Sequence, residues 1–436
     1  MIKYDTMAVR ENISFFIIKW AIYLAPLWWL LGMDPFIYYF LVLLSFLILL
    51  KIKKGNVRIP QISLPLIFFS LIFAFSIFYH SPFLPITKIV GALYHFYWWV
   101  NGFLLLLIIA NVKINLKKEI YKITLYLLSS SILIVIISLL IFLSTGNSSM
   151  EIPTLMVKCF PKWNIVAEAA HTSTLRLYAT TELISFNLPR VSFLMYPLAS
   201  GQLLILLLPI MWGFSYLYEK RKKMIKLIAG ISFLPLFFTL SRTPVASLLV
   251  VFFIFGMSEV VKKVKEFPLR KKQAILFAFL VLSLPLTVFF VKLFRFMFLK
   301  LRPGSFILRV AQYKKALEIF YSHPLFGVGA LYTDPTLPIR VGTHSTYIEI
   351  LMLTGILGFV FFMMFQMLVL EKWLWNEKRI KNREEKAFWK FYGMGIFSLL
   401  LSLLGGTLID FYPVFSMILF LVFGILLNPE KKEEVK

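Results

Sequence analysis

The strongest constraint on this chain is the recurrence of long apolar runs along its whole length, parted by short basic connections. An apolar run of about 20 residues crosses the hydrocarbon core of a bilayer as one helix. The runs predict spans at roughly 13–33, 35–50, 61–79, 85–110, 121–144, 191–218, 226–240, 243–260, 273–294, 345–370, 389–408 and 411–428. The expected fold class is therefore an all-α polytopic membrane protein of about 12 transmembrane helices, with residues 1–436 forming a single integral membrane domain. Composition agrees. The chain is 60% hydrophobic and 15% charged, whereas soluble domains are about 45–50% apolar and about 25% charged. No stretch between runs exceeds roughly 50 residues, so no attached soluble domain is expected.

The first run follows Lys3 and Arg10, as in a secretory leader. It lacks a small-residue cleavage site and is followed at once by a second run, which predicts a retained helix. The single cysteine, Cys159, excludes an internal disulfide and a thiolate metal cluster. A net charge of +25 would suit nucleic acid, yet the basic residues lie between spans, and positive-inside topology accounts for most of them without such a partner. Clusters such as Lys51/Lys53/Lys54/Arg58 and Lys220/Arg221/Lys222/Lys223 fall on alternate connections. That side is predicted to be cytoplasmic, with both termini on it. The opposite side receives two long connections, 145–190 and 295–344. Long loops in compact proteins are usually functional or disordered, so any active surface is expected outside the cytoplasm.

The 295–344 loop breaks the charge rule, with Arg295, Lys300, Arg302, Arg309, Lys314, Lys315 and Arg340 against Glu318 and Asp334. Within it Arg309, Gln312, Lys315 and Glu318 recur every three residues beside an apolar stripe of Val310, Tyr313, Leu317 and Phe320. That pattern predicts an amphipathic helix on the membrane surface, ending near Ser322 because Pro324 disfavours helix before it. Contact with lipid phosphates alone would also satisfy such a helix. Gly327 and Gly329 suit a tight turn with close backbone approach.

Arg242, in Phe238-Thr-Leu-Ser-Arg-Thr-Pro, lies between two apolar runs with no neighbouring acid. A charge there is costly unless paired or wetted, so it is either functional or snorkels to the outer boundary. Arg190 stands at the outer start of the span expected from 191 and is either a ligand or an interfacial anchor. His344 lies where the cationic loop rejoins the membrane, with Tyr347 and Leu351 expected on its helix face. A neutral imidazole can accept a proton from a hydroxyl, although a lone His is more often simply a satisfied polar residue. The five histidines show no HxH or HExxH spacing, and no Walker pattern or Asp-x-Asp pair appears, so neither a metal nor a cofactor is expected. An outward site rich in Arg and poor in acids suits a lipid-linked pyrophosphate, because the planar guanidinium binds phosphate bidentately.

Four ordered segments within about residues 190–370 resemble the O-antigen ligase and O-antigen polymerase family of bacterial envelope enzymes. They are Arg190-Val-Ser-Phe-Leu-Met-Tyr-Pro197; Leu240-Ser-Arg-Thr243; the Arg309-led helix with His323-Pro-Leu-Phe-Gly-Val-Gly329; and the span led by His344 with its paired Gly355 and Gly358. Ser345 stands where the family commonly has Asn, Thr243-Pro244 where Gly is common, and Tyr313 where Trp is frequent. The resemblance implies a GT-C-like glycosyltransferase of the bacterial inner membrane with its active site in the periplasm. It implies metal-free transfer from an undecaprenyl-pyrophosphate-linked glycan. His344 would be the general base, and Arg190, Arg242 and Arg309 would hold the pyrophosphate. In a ligase the acceptor is a lipid A core sugar hydroxyl; in a polymerase it is another lipid-linked repeat unit. A transporter is disfavoured, because the candidate charges gather at the outer boundary rather than the midplane.

Overall fold

The computed structural model describes residues 6–159, 174–183, 186–194, 197–265, 303–331, 341, 344–406 and 413–427, with scattered positions between 267 and 295. The helices are α1 (Thr6–Tyr23), α2 (Ala25–Leu31), α3 (Asp34–Ile52), α4 (Leu64–His80), α5 (Ile86–Asn111), α6 (Leu116–Thr145) and the single turn α7 (Leu155–Cys159). There follow α8 (Pro197–Leu217), α9 (Lys222–Ile231), α10 (Phe233–Phe238), α11 (Arg242–Lys265), α12 (Pro303–Ser322), α13 (Thr346–Arg379), α14 (Arg383–Ser402) and α15 (Pro413–Gly424). Among the described residues six helices are long and apolar enough to cross a membrane, or up to seven if α1 and α2, bent by 59°, form one span. Phe36–Ile52 and Val414–Leu427 are apolar but shorter. Every expected span other than 273–294 coincides with a helix or helix pair, and 273–294 lies largely outside the described residues.

The expected span 226–240 is broken into α9 and α10 at Ser232. Pro235 supplies the reason, since its missing N–H and its ring prevent α9 from running on. The mostly helical architecture agrees with the all-α expectation, to which the structure adds one small sheet. The 145–190 loop contains a three-stranded antiparallel sheet in the order β1 (Ser149–Pro153), β2 (Thr174–Leu183), β3 (Phe186–Val191). Strand β2 reads Thr-Leu-Arg-Leu-Tyr-Ala-Thr-Thr-Glu-Leu, with the Thr and Tyr content that suits a half-buried pleat. Tyr178 is fully buried and its ring meets Phe142 of α6 at 5.7 Å, which fastens one face of the sheet to the helical bundle.

The centre of the bundle is α8. Its spanning window is 94% buried, against 28% for α6 and 22% for α11, so α8 is enclosed by protein while those two face outward. A helix apolar all round belongs in such a position. Its most extensive packing is with α14, and one end of each of these two helices contributes to the site.

The turn after α12 is sewn into α13. At Gly355 the backbone leaves the helix (φ 64°, ψ −168°), about 14 Å below the start of α13 at 1.5 Å per residue. Two helical bonds, from the N–H groups of 356 and 357 to the carbonyls of 352 and 353, are given up there. Four bonds to the turn replace them: Val328 N–H donates to Met352 O (3.0 Å) and Gly329 N–H to Leu353 O (2.9 Å), while Ile356 N–H donates to Pro324 O (2.8 Å) and Leu357 N–H to Leu325 O (3.4 Å). Backbone at membrane depth must find such partners. A side chain at Gly327 would collide with the carbonyl of Met352, and one at Gly355 with the carbonyl of Leu325, so both positions require glycine on space as well as on positive φ. The tight turn and close approach expected from Gly327 and Gly329 are present, as is the end of α12 at Ser322.

Candidate active site

Each candidate residue is placed by a different element. Strand β3 pairs Arg190 with Ala179, the neighbour of Tyr178, so Arg190 lies on the sheet face opposite the one fastened to α6. It was expected at the outer start of a span; it lies instead in a strand, because the helix does not begin until Pro197. Its Nε donates to Thr239 O (2.9 Å) and its Nη2 to Ser241 Oγ (3.3 Å), bracing it on the turn between α10 and α11. Arg242 follows directly as the first residue of α11, half-buried. Thr243 then donates from Oγ1 to Gly405 O (3.3 Å).

Helix α12 brings Arg309 to the same carbonyl, with Nη1 donating to Gly405 O at 3.3 Å. The two stripes expected of this helix do not divide cleanly between its inner and outer faces. Gln312 and Ala316 are buried and Arg309 and Tyr313 partly so, whereas Ile307 and Val310 are exposed. The face turned to the bundle is thus mixed: Arg309 and Gln312 of the polar stripe share it with Tyr313 and Ala316, and Glu318 is exposed.

His344 precedes α13 rather than lying on it. Its φ is 132°, Ser345 is extended, and the helix starts at Thr346. Tyr347 and Leu351 therefore do not share a helical face with it, as the sequence had suggested. Tyr347 instead donates its hydroxyl to Gln366 Oε1 and Leu400 O, each at 3.1 Å. The positive φ of His344 is accompanied by a hydrogen bond from Tyr313 Oη to His344 O at 2.7 Å. Burial, then the positive fields of Arg309 and Arg190, pull the imidazole from its ordinary range down to about 4. The ring is thus neutral at physiological pH, and Nδ1 is buried with no hydrogen-bond partner among the described residues. Burial raises the Tyr313 phenol, so it stays a donor.

These elements are gathered by the turn that ends α14. Its carbonyls at 403, 405 and 406 accept bonds from Thr346, Thr243 and Arg309, and the Gln202 amide of α8 donates to Ser402 Oγ (3.1 Å). Sequence reading missed this turn, although the Gly405-Gly406 pair after an apolar run is a turn signal. It also missed Gln202, whose signal was a lone amide inside a spanning run. Glu349 is fully buried on the first turn of α13, and Asp334 lies outside the described residues. In the 145–190 loop Arg176 pairs with Glu151 across β1 and β2, and His171 lies outside the described residues.

Arg190 and Arg309 therefore act on one imidazole from a strand and a helix far apart in sequence, with Arg242 between two residues that share their contacts. The arrangement can hold an anion beside a neutral base. A family model described as O-antigen ligase matches residues 227–363, a segment containing Arg242, Arg309 and His344 but not Arg190. No curated protein and no solved structure matches the chain.

Proposed function

We propose, from the O-antigen ligase and polymerase assignment that this match supports, that the chain is a membrane glycosyltransferase acting as an O-antigen ligase. It moves a glycan from undecaprenyl pyrophosphate to a sugar hydroxyl of the lipid A core, without a metal. In this reading the chain has about 12 crossings of the bacterial inner membrane and a GT-C-like architecture, with both termini cytoplasmic. The loops 145–190 and 295–344 then face the periplasm, with the catalytic elements in the second.

The observation that carries the reading is the grouping of Arg190, Arg242 and Arg309 about the 239–243 segment and the Gly405 carbonyl, with His344 held beside them by Tyr313 of the same helix as Arg309. Neutral His344 takes the proton of the acceptor hydroxyl as its oxygen attacks the anomeric carbon. The bond from that carbon to the pyrophosphate oxygen breaks, and its electron pair leaves with undecaprenyl pyrophosphate. Arg190, Arg242 and Arg309 neutralise the charge that develops there. At 4 Å and an effective dielectric of 20 each charge pair is worth about 4 kcal/mol before desolvation. Donor binding also offsets the two fields that depress His344, so the imidazole becomes a stronger base once the anion is in place.

The polymerase is the second reading, favoured by the folded sheet in the other outer loop, which offers a surface for a second glycan. Purified protein supplied with a lipid-linked glycan and either lipid A core or a second lipid-linked repeat separates them. Transfer to the core supports the ligase, chain growth without core supports the polymerase, and neither product overturns both.

A further inference from the structure

Deeper in the bundle than the site, an apolar groove of about 210 Å³ lies between α8, α9, α10, α11 and α14. Leu208, Pro209, Trp212, Ala229, Phe233 and Phe252 line it, with Phe391 closing one side. Two of its lining residues, Ala229 and Phe233, flank Ser232, where α9 and α10 part at the break that Pro235 enforces. Protein interiors are close-packed, and voids larger than a water molecule are few. An apolar cavity of this order does not recruit water but accepts hydrocarbon.

The rim of the groove is cationic. Lys226 Nζ lies 5.7 Å from the ring of Trp212 and 5.8 Å from that of Tyr216. Tyr216 in turn stacks on Phe391 at 5.7 Å. Trp212 and Phe391 both line the groove, so the ammonium is held at its mouth by the residues that form its wall. Lys226 belongs to α9, which also carries Lys222 and Lys223 and follows Lys220 and Arg221, with Glu219 as the one acid of this stretch. Lys222 is paired with that Glu219 at 2.9 Å, whereas no described carboxylate pairs with Lys226. Basic pockets between membrane helices bind anionic lipid headgroups, and a lysine whose stem lies along aromatic surface keeps its charge at the interface.

We propose that this groove binds one anionic glycerophospholipid, an acyl chain between α8, α11 and α14 and the phosphate on Lys226. The occupant would brace α8 against α14, the pair whose opposite ends carry Gln202 and the 402–406 turn. The site is separate from the proposed transfer chemistry and stands whether or not that reading survives.

The test uses the full chain in detergent, with phosphatidylglycerol or phosphatidylcholine of identical acyl chains as probes. Bound lipid is counted by native mass spectrometry, and the thermal midpoint is followed in parallel. Wild type should bind one phosphatidylglycerol at least about tenfold more tightly than phosphatidylcholine, with a higher thermal midpoint in its presence. Lys226→Gln, which keeps the stem and removes the charge, should bring the two lipids to equal affinity. Lys381→Gln, at an exposed lysine at the same end of α14, should leave the preference intact. Ala229→Trp, filling the groove, should reduce binding of both lipids. If that variant fails to fold, the Lys226→Gln comparison alone decides. Equal binding of both lipids by wild type, or a preference unchanged in Lys226→Gln, would overturn the proposal.

Discussion

The cations at the two ends of the bundle are held in different ways. At the basic end lysines meet carboxylates: Lys117 with Glu385 at 2.6 Å, Lys19 and Lys122 with Glu119 at 2.7 and 2.8 Å, and Lys262 and Lys390 with Glu259 at 2.9 and 3.0 Å. At the site end Arg190 and Arg309 donate to Thr239 O, Ser241 Oγ and Gly405 O. These carbonyl and hydroxyl acceptors fix the direction of the two guanidinium groups, as the carboxylates fix the lysines. Burial first, and then the positive fields of Arg309 and Arg190, depress the His344 imidazole. Ion pairs fasten helices at the first end; at the second, where Arg176 also pairs with Glu151 and Lys315 with Glu318, backbone and hydroxyl acceptors orient Arg190 and Arg309 near His344. Substitutions should therefore affect assembly at one end and transfer at the other.

The largest effect is expected at His344. His344→Ala should retain binding of a lipid-pyrophosphate donor and lose transfer by about 10²–10⁴-fold, the usual worth of a general base. Undiminished transfer would remove His344 from the mechanism and make Glu349 the next residue to test. The arginines come next. Arg309→Lys and Arg190→Lys should each cost about 10²–10³-fold in kcat, on the scale of removing one preorganised donor. An ammonium keeps the charge and loses the bidentate fork, so full activity in both lysine variants would show that charge alone suffices.

The pH dependence sharpens the same point. The free imidazole sits near 4 because burial and the two guanidinium fields disfavour its protonated form. Protonation removes the lone pair the acceptor hydroxyl needs, so the rate falls as pH drops through that value, about tenfold per unit well below it. Because a bound pyrophosphate offsets the fields, the acid limb of kcat, which reports the complex, should lie at higher pH than that of kcat/KM, which reports the free protein. Coincident limbs would mean that the donor does not sit between the arginines and the ring. Tyr313→Phe should cost less, about 1 kcal/mol or up to tenfold, by releasing the carbonyl of His344. Tyr313→Trp should restore part of that loss, since an indole N–H can also donate.

The helices were legible because period and length in an apolar run leave few alternatives, and α12 ends where Pro324 requires. The sheet was not, since β1 is five residues long and its pairing with β2 depends on partners distant in sequence. The residues of the site could be picked out singly, as charges where lipid makes charge expensive. Their grouping could not. It rests on the 402–406 turn, whose acceptors are backbone carbonyls that any sequence possesses. The seam between the 324–329 turn and the break at Gly355 has the same character: glycines mark both halves, and nothing in either half names the other.

The smallest expected effect tests the basic end. Lys117 lies within 2.6 Å of Glu385, its side chain 11% exposed, with Nζ 5.7 Å from the Trp389 ring. Lys117→Met keeps the stem and its packing on α14 and removes the charge. Glu385 is 32% exposed and can take water in place of the ammonium, so it is not stranded as a fully buried charge would be. The expected loss is about 1 kcal/mol of stability, at the upper end of exposed ion pairs, read as a small drop in thermal midpoint. Transfer activity per folded molecule should not change, because the pair joins the start of α6 to the start of α14, the end of α14 opposite the 402–406 turn. A large fall in kcat with the midpoint preserved would mean that charge at the basic end reaches the site, and the contrast between the two ends would then fail.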